Sequence, residues 1–269
     1  MGGRGSSSGG GFGGGGTSAQ QFQIQQVTNL QPTQSAAQAV NKANFSDKDD
    51  ADYHDMYNGR NYFNKQGLTI DQQLATINYL SDQPESGSLY SMSQNMNHAL
   101  ATGQKLNANQ QYVNNHLMSA MHNLGYNTNL TRYDHAPMID NLLASAGLNK
   151  GYQSYSETQL KNALVGMKYG ERKFISTSYN DFKNAPASTS NIFQSRAVKI
   201  TYKAKAGVQA MMPGNGPGGQ IGEILLAPSG GTPNFKILDV KFTGKSARQK
   251  QTQSYNMKQV EIVVEVDPQ

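Results

Sequence analysis

The hydrophobic periodicity changes once along this chain, and that change restricts the fold class more than any other feature. Between residues 68 and 169 most apolar side chains recur every three or four positions, as on one face of an α-helix. From Lys173 onward they recur at every second position, as in half-buried β-strands. Helices followed by strands predict an α+β protein with a largely antiparallel sheet.

The same periodicities predict the individual elements. Helices are expected over 68–80, 89–100, 107–124, 138–146 and 157–169. Strands are expected over 127–133, 174–178, 197–204, 223–226, 235–242 and 260–266. Gly125 is expected to end the third helix, because glycine accepts the left-handed conformation common at helix ends. His116 and His122 are both expected on that helix, at the surface or the edge of the core.

The first part of the chain differs in composition from the rest. Residues 1–17 are mostly Gly and Ser, and a Gln/Ser/Ala-rich stretch continues to about residue 43. Such segments contain too little apolar surface to offset the entropy lost on ordering. We therefore predict a flexible Gly/Ser/Gln-rich arm over 1–44, followed by a single folded domain over 45–269.

Composition also excludes several classes of protein. The chain has no cysteine, which rules out disulfides and thiolate metal sites. It has no apolar run of about 18 residues and no apolar signal-peptide core, so neither a transmembrane segment nor a membrane partner is expected. The net charge of +5 is dispersed, and Lys245, Arg248 and Lys250 form its densest group. A nucleic-acid-binding module would rest on charge alone.

Common hydrolase and nucleotide motifs are missing. None of the five histidines pairs with another at metal-binding spacing, and no Gly-x-Ser-x-Gly motif occurs. The glycine-rich loop over 214–219 lacks a following Lys-Ser/Thr and leads into a strand rather than a helix, unlike a phosphate-binding P-loop. No metal site is expected.

Three short motifs contain the candidate catalytic groups. Arg132 lies in the early strand, Ser176, Thr177 and Ser178 end the next one, and Glu223 begins an apolar strand just after the glycine-rich loop. Taken singly, each motif also suits a structural role. The arginine could belong to a salt bridge, the hydroxyl residues could be ordinary strand formers, and the glutamate could lie on the surface.

In this order, the motifs resemble the Arg–Ser-Thr-Ser–Glu pattern of the ADP-ribosyltransferase family, which includes cholera-toxin-like and clostridial binary toxins. The resemblance covers about residues 45–269, because the early helices, the glycine-rich loop and the closing strands also follow the family order. It implies a split antiparallel β core with a helical N-terminal half. The implied activity is that of a mono-ADP-ribosyltransferase, a glycosyltransferase that moves ADP-ribose from NAD⁺ to a protein acceptor and releases nicotinamide without a metal.

The resemblance assigns catalysis to Glu223, Ser176 and Arg132. Arg132 would bind the phosphates of NAD⁺, and Ser176 would hydrogen-bond the nicotinamide ribose. Thr177 and Ser178 would support the strand and Arg132. Glu223 would accept a hydrogen bond from the ribose 2′-OH and stabilise the positive charge that grows as nicotinamide leaves.

Two positions depart from the family pattern. Ile221 stands where many relatives have Glu or Gln, so an acceptor-activating group is missing there and arginine as the acceptor remains open. Tyr133 replaces a frequent glycine and is included among the NAD⁺-binding residues, where its ring either stacks on nicotinamide or fills space. Two alternatives stay open: an NAD⁺ glycohydrolase with water as acceptor, and a catalytically silent, phage virion-associated structural protein.

The first nine residues carry a second resemblance. Met-Gly-Gly-Arg-Gly-Ser-Ser-Ser-Gly is similar to the start of phage and prophage structural or ejected proteins. This similarity implies a protein acceptor in a bacterial host and action in the host-cell cytoplasm after delivery with the virion.

Overall fold

The computed structural model describes residues 68–81, 84–85, 87–179, 181, 192–213, 223–248 and 256–269. The predicted arm over 1–44, the domain start at 45, the loop over 214–219 and Ile221 lie outside these ranges. Among the described residues, no helix combines the length and the apolar character needed to cross a membrane. The same residues contain no cluster of three or more side chains suited to hold a metal ion.

The helices begin where local capping signals lie. They are α1 (Ile70–Leu80), α2 (Met92–Thr102), α3 (Ala108–Ala120), α4 (Ala136–Ser145) and α5 (Glu157–Leu164), and a 3₁₀ turn spans Tyr152–Ser154. At the starts of α1, α3 and α5, an N-cap side chain accepts a backbone hydrogen bond while the glutamine three residues later returns one. These reciprocal bonds satisfy amide groups that would otherwise lack partners.

Two predicted helix ends were wrong. Helix α3 ends at Ala120 with Met121 as its cap, well before Gly125, and His122 lies in a short strand instead of on the helix. Helix α5 ends at Leu164 rather than residue 169, because Gly166 adopts a positive φ of 88° and the chain then pairs with the sheet. Apolar spacing continues through both turns, so periodicity alone does not reveal them.

Nine strands form one sheet across the described residues. They are β1 (His122–Asn123), β2 (Thr128–Asp134), β3 (Lys168–Tyr169), β4 (Ile175–Ser178), β5 (Val198–Ala204), β6 (Gln209–Met211), β7 (Glu223–Leu226), β8 (Phe235–Ala247) and β9 (Met257–Val266). Their order is β1-β6-β7-β4-β2-β5-β9-β8-β3. Neighbouring strands are antiparallel except for the parallel pair β5 and β9. The predicted α+β class with a largely antiparallel sheet is confirmed.

The sheet is nearly divided in two at the boundary between β2 and β4. Strand β2 pairs with β5 along its whole length from Thr128 to Asp134, but it pairs with β4 only through Thr131 and Ser178. We call β1-β6-β7-β4 the serine half-sheet and β2-β5-β9-β8-β3 the arginine half-sheet. The ladder between them is a single residue pair, which matches the split core that the resemblance implies.

A buried amide connects the helical layer to the start of β4. Asn97 of α2 is fully buried, and its Oδ1 accepts the Phe174 backbone N–H at 3.1 Å. Its Nδ2 donates to the Tyr79 hydroxyl of α1 at 2.9 Å, and the Tyr79 ring meets that of Phe174 edge-on. Buried polar groups that are fully bonded in this way define one arrangement of the chain. Helices α1 and α2 therefore help to place the strand that contains Ser176.

Candidate active site

The serine strand and the glutamate strand bring two of the candidate groups into contact. In the β4–β7 ladder, Ser176 pairs with Leu225 and Ser178 pairs with Glu223. Alternate side chains point to the same face of a strand, so Ser176, Ser178 and Glu223 share one face. The Ser176 Oγ donates to Oε1 of Glu223 at 2.5 Å. Glu223 itself is 4% exposed, which shields its carboxylate from bulk water.

Thr177 and Ser178 lie where they can support this pair. The Thr177 hydroxyl, on the opposite face, donates to the carbonyl of Ile224 at 2.8 Å and so ties β4 to β7. Ser178 is completely buried at the junction, with Thr131 on one side and Glu223 on the other. Both residues strengthen the strand that carries Ser176.

Arg132 bridges the gap between the two half-sheets. Its Nη1 donates to the backbone carbonyl of Ser176 at 3.0 Å, where the strand ladder has already ended. Its Nε and Nη2 both donate to Oδ2 of Asp134, at 3.1 and 3.0 Å. Only 4% of Arg132 is exposed. A hydrogen bond from the guanidinium therefore joins β2 to the serine strand where their backbone ladder has ended.

Asp134 is the counter-ion of Arg132. Burial acts to raise the pKa of the Asp134 carboxyl, but the Arg132 charge and the His135 backbone N–H together hold that pKa below its usual value. Burial likewise acts to lower the pKa of Arg132, and the Asp134 charge more than offsets it. The two side chains form an ion pair that is 5% and 15% exposed.

We expect the Arg132–Asp134 ion pair to make the protein less stable as the pH falls into the acidic range. In the unfolded chain the pKa of aspartate is about 3.9, and the folded pKa of Asp134 is lower. The stability that the ion pair contributes is therefore complete above about pH 3.9 and is lost as pH falls through the folded pKa. Asp134→Asn should flatten the fall in Tm between about pH 4 and pH 2. Thermal unfolding from pH 6 to pH 2 measures it, with Asp239→Asn at an exposed salt bridge as control. Parallel curves for wild type and Asp134→Asn would contradict the prediction.

Sequence reasoning missed a second buried guanidinium. Arg196 is 5% exposed, donates to the Tyr133 carbonyl at 2.9 Å and lies 4.4 Å above the centre of the Phe193 ring. Burial, and then the nearby charge of Arg132, lower the pKa of Arg196 to about 10. The charges of Arg132 and Arg196 therefore interact with one another. The available signal was an arginine placed directly before the apolar strand predicted over 197–204.

Tyr133 contacts the turn that follows the serine strand. It follows Arg132 in β2, so its side chain projects from the opposite face of the arginine half-sheet. It is 4% exposed, and its hydroxyl donates to Oδ1 of Asp181 at 3.0 Å. The Tyr133 hydroxyl is therefore bonded to Asp181, and both roles left open for the ring stay predictions.

Comparison with solved structures identifies the fold. No protein-family model and no curated protein sequence matches this chain. An ADP-ribosyltransferase toxin from Paenibacillus larvae superposes with a TM-score of 0.50 at 14% identity, over 88% of this chain and 100% of that one. The chain has the ADP-ribosyltransferase fold. This result confirms the fold that the Arg–Ser-Thr-Ser–Glu pattern implies.

Two longer clostridial toxins have the same ADP-ribosyltransferase fold. The enzymatic component of the C2 toxin from Clostridium botulinum has a TM-score of 0.52 at 18% identity, over 84% of this chain. The ADP-ribosylating toxin of a binary enterotoxin of C. perfringens, solved with NADH, has a TM-score of 0.50 at 15% identity, over 80% of this chain. The matches cover 47% and 46% of those two proteins. The shared fold therefore corresponds to about half of each.

Proposed function

We propose that the protein is a mono-ADP-ribosyltransferase that moves ADP-ribose from NAD⁺ to a protein acceptor and releases nicotinamide. The observation that carries the proposal is the contact between Ser176 and Glu223, which Arg132 joins to the arginine half-sheet through the Ser176 carbonyl. The fold, shared with ADP-ribosylating toxins, supports the same reading.

The charges around Arg132 suit a dinucleotide. Arg132 and Arg196 supply two positive charges, and Asp134 offsets one of them. The diphosphate of NAD⁺ adds two negative charges, and a planar guanidinium can donate two parallel hydrogen bonds to a phosphate. We assign Arg132 to phosphate binding, with Arg196 as a second source of positive potential.

The Ser176–Glu223 pair suits the chemical step. The bond between the anomeric carbon of the ribose and the nicotinamide nitrogen breaks, and nicotinamide leaves with the electron pair. Positive charge then spreads over the anomeric carbon and the ring oxygen, where the carboxylate of Glu223 stabilises it. The acceptor forms a bond to the anomeric carbon and releases its proton to solvent water. Ser176, which donates to Oε1, holds the carboxylate in one orientation.

One alternative keeps the same site and changes the acceptor. An NAD⁺ glycohydrolase would use water, and Ile221, two residues before Glu223, favours it because this side chain cannot activate an acceptor. The second alternative, a catalytically silent virion-associated protein, predicts that NAD⁺ does not bind at all.

We further propose that the acceptor is a protein of a bacterial host and that the enzyme acts in the host cytoplasm. The support is the phage-like character of the first nine residues, which matches delivery with a virion. The dispersed positive charge does not favour nucleic acid as the acceptor.

The decisive experiment follows the two halves of NAD⁺ separately. Purified protein is incubated with bacterial lysate and NAD⁺ labelled on the adenylate phosphate, and nicotinamide release is measured in parallel. We expect discrete labelled protein bands that an excess of unlabelled NAD⁺ suppresses. Nicotinamide release with free ADP-ribose and no labelled protein would establish the glycohydrolase instead. Neither product, together with no detectable NAD⁺ binding, would overturn both enzymatic readings.

A further inference from the structure

A row of polar side chains crosses the arginine half-sheet on the face opposite Arg132. Tyr133 pairs directly with Lys199, Lys199 with Glu261, and Glu261 with Lys241, across β2, β5, β9 and β8. Lys199 Nζ lies 3.7 Å from Oε1 of Glu261, and Lys241 Nζ lies 3.2 Å from its Oε2. We call these four residues the polar row. Directly opposed charges of opposite sign stabilise neighbouring strands.

The polar row ends on a residue that follows the last strand residue of β4 in the other half-sheet. Asp181 lies three residues beyond Ser178, where the chain has just left β4. Its Oδ1 accepts the Tyr133 hydroxyl at 3.0 Å, and its Oδ2 lies 3.4 Å from Lys199 Nζ. Among the described residues, Asp181 is the one non-glycine residue with a positive φ, at 52°. Such a conformation persists where surrounding contacts hold it, and it often marks a functional region.

These contacts complete the junction between the half-sheets. The backbone ladder joins β2 to β4 through Thr131 and Ser178 alone. On one face Arg132 reaches the Ser176 carbonyl, and on the other face the next residue, Tyr133, reaches Asp181. The serine strand is therefore held to β2 by side chains on both sides of their one backbone pair.

The Tyr133 hydroxyl stays a hydrogen-bond donor to Asp181 over the whole working pH range. Burial, and then the nearby Asp181 charge, raise the pKa of Tyr133 well above its usual value, so the phenol stays protonated and donates. Lys199 in turn is placed by Glu261, which also accepts the Thr201 hydroxyl at 2.9 Å. A hydrogen bond from a hydroxyl to a carboxylate, such as that from Tyr133 to Asp181, is stronger than one between neutral groups.

We propose that Tyr133 and Asp181 are positioning residues that fix the exit of the serine strand and thereby the placement of Arg132 relative to the Ser176–Glu223 pair. Their effect on NAD⁺ rests on the function proposed above. When the bond is absent, the two half-sheets sample more arrangements at their junction, and fewer molecules hold the site assembled. Ligand affinity falls in proportion to that fraction, whereas turnover at saturation recovers as the ligand selects the assembled state.

A single-atom change tests the proposal. Tyr133→Phe removes the hydroxyl and keeps the ring, and Tyr112→Phe is a matched control, since its hydroxyl donates to Asp71 in the helical layer at 2.9 Å. We expect Tyr133→Phe to speed amide hydrogen exchange of Ile175–Ser178 by about fivefold and to raise the KM for NAD⁺ by about fivefold, with kcat within about twofold. Tyr112→Phe should change neither quantity.

Variants of Asp181 separate the hydrogen bond from the ion pair. Asp181→Asn keeps an acceptor for the Tyr133 hydroxyl, and we expect its KM for NAD⁺ to stay close to the wild-type value. Asp181→Ala loses the contacts with both Tyr133 and Lys199, and we expect its KM to rise at least as much as that of Tyr133→Phe. If the wild type is active, and Tyr133→Phe changes neither amide hydrogen exchange in β4 nor the KM for NAD⁺, the inference is overturned. If wild type neither binds nor cleaves NAD⁺ while Tyr133→Phe still speeds exchange in β4, the proposed function fails and the positioning of β4 stands.

Discussion

Replacement of Glu223 by glutamine should lower kcat for nicotinamide release by about 10²–10³-fold while NAD⁺ affinity changes by no more than about threefold. Glutamine matches glutamate in size, and its carbonyl oxygen can still accept the Ser176 hydroxyl. It lacks the negative charge. Because positive charge develops on the ribose only as the glycosidic bond breaks, the loss falls on the transition state and not on the bound substrate.

The matched control for this change is Glu265→Gln. Glu265 lies near the end of β9 and pairs with Lys205 at 3.3 Å, in a partly exposed position outside the candidate site. Its kcat should equal that of wild type. Steady-state nicotinamide release gives kcat, and isothermal titration calorimetry gives the affinity for NAD⁺. A Glu223→Gln enzyme that turns over at the wild-type rate would remove Glu223 from the catalytic step and with it the proposed mechanism.

The second large effect is expected from Arg132→Met. This change leaves the carboxylate of Asp134 mostly buried without its partner and removes the donor to the Ser176 carbonyl. Loss of one member of a buried ion pair costs about 3–5 kcal/mol, which corresponds to a fall in Tm of about 6–20 °C for a domain of this size. Binding of NAD⁺ should be lost in the same variant, because the phosphates lose their principal guanidinium.

A double variant separates stability from binding. In Arg132→Met with Asp134→Leu, both charges are replaced by apolar side chains, a change that often restores the stability of a buried pair. We expect most of the Tm to return while NAD⁺ binding stays absent. Thermal unfolding with and without NAD⁺ gives both values in one experiment. If the double variant binds NAD⁺ as wild type does, Arg132 serves only to join the half-sheets.

Much of the fold follows from local signals. The change of periodicity after residue 169 predicts the α+β class, and strand β7 has the predicted bounds of 223–226. Capping pairs such as Ser156 with Gln159 mark helix starts because they lie within one turn of the chain. The short strands β1, β3 and β6 escaped prediction, since two or three residues hold no periodicity. Their pairing partners lie far along the sequence.

The candidate site divides in the same way. The sequence by itself determined which chemical groups exist, in which order, and that Arg132, Ser176 and Glu223 lie on strands, because alternation of apolar residues is a local property. Only the tertiary structure decided that Ser178 pairs with Glu223, that Arg196 lies beside Arg132, and that Asp181 meets Tyr133. Strand register and half-sheet contacts depend on packing between residues about 45 to 65 positions apart in these three cases, and no short stretch of sequence specifies which partner a strand takes.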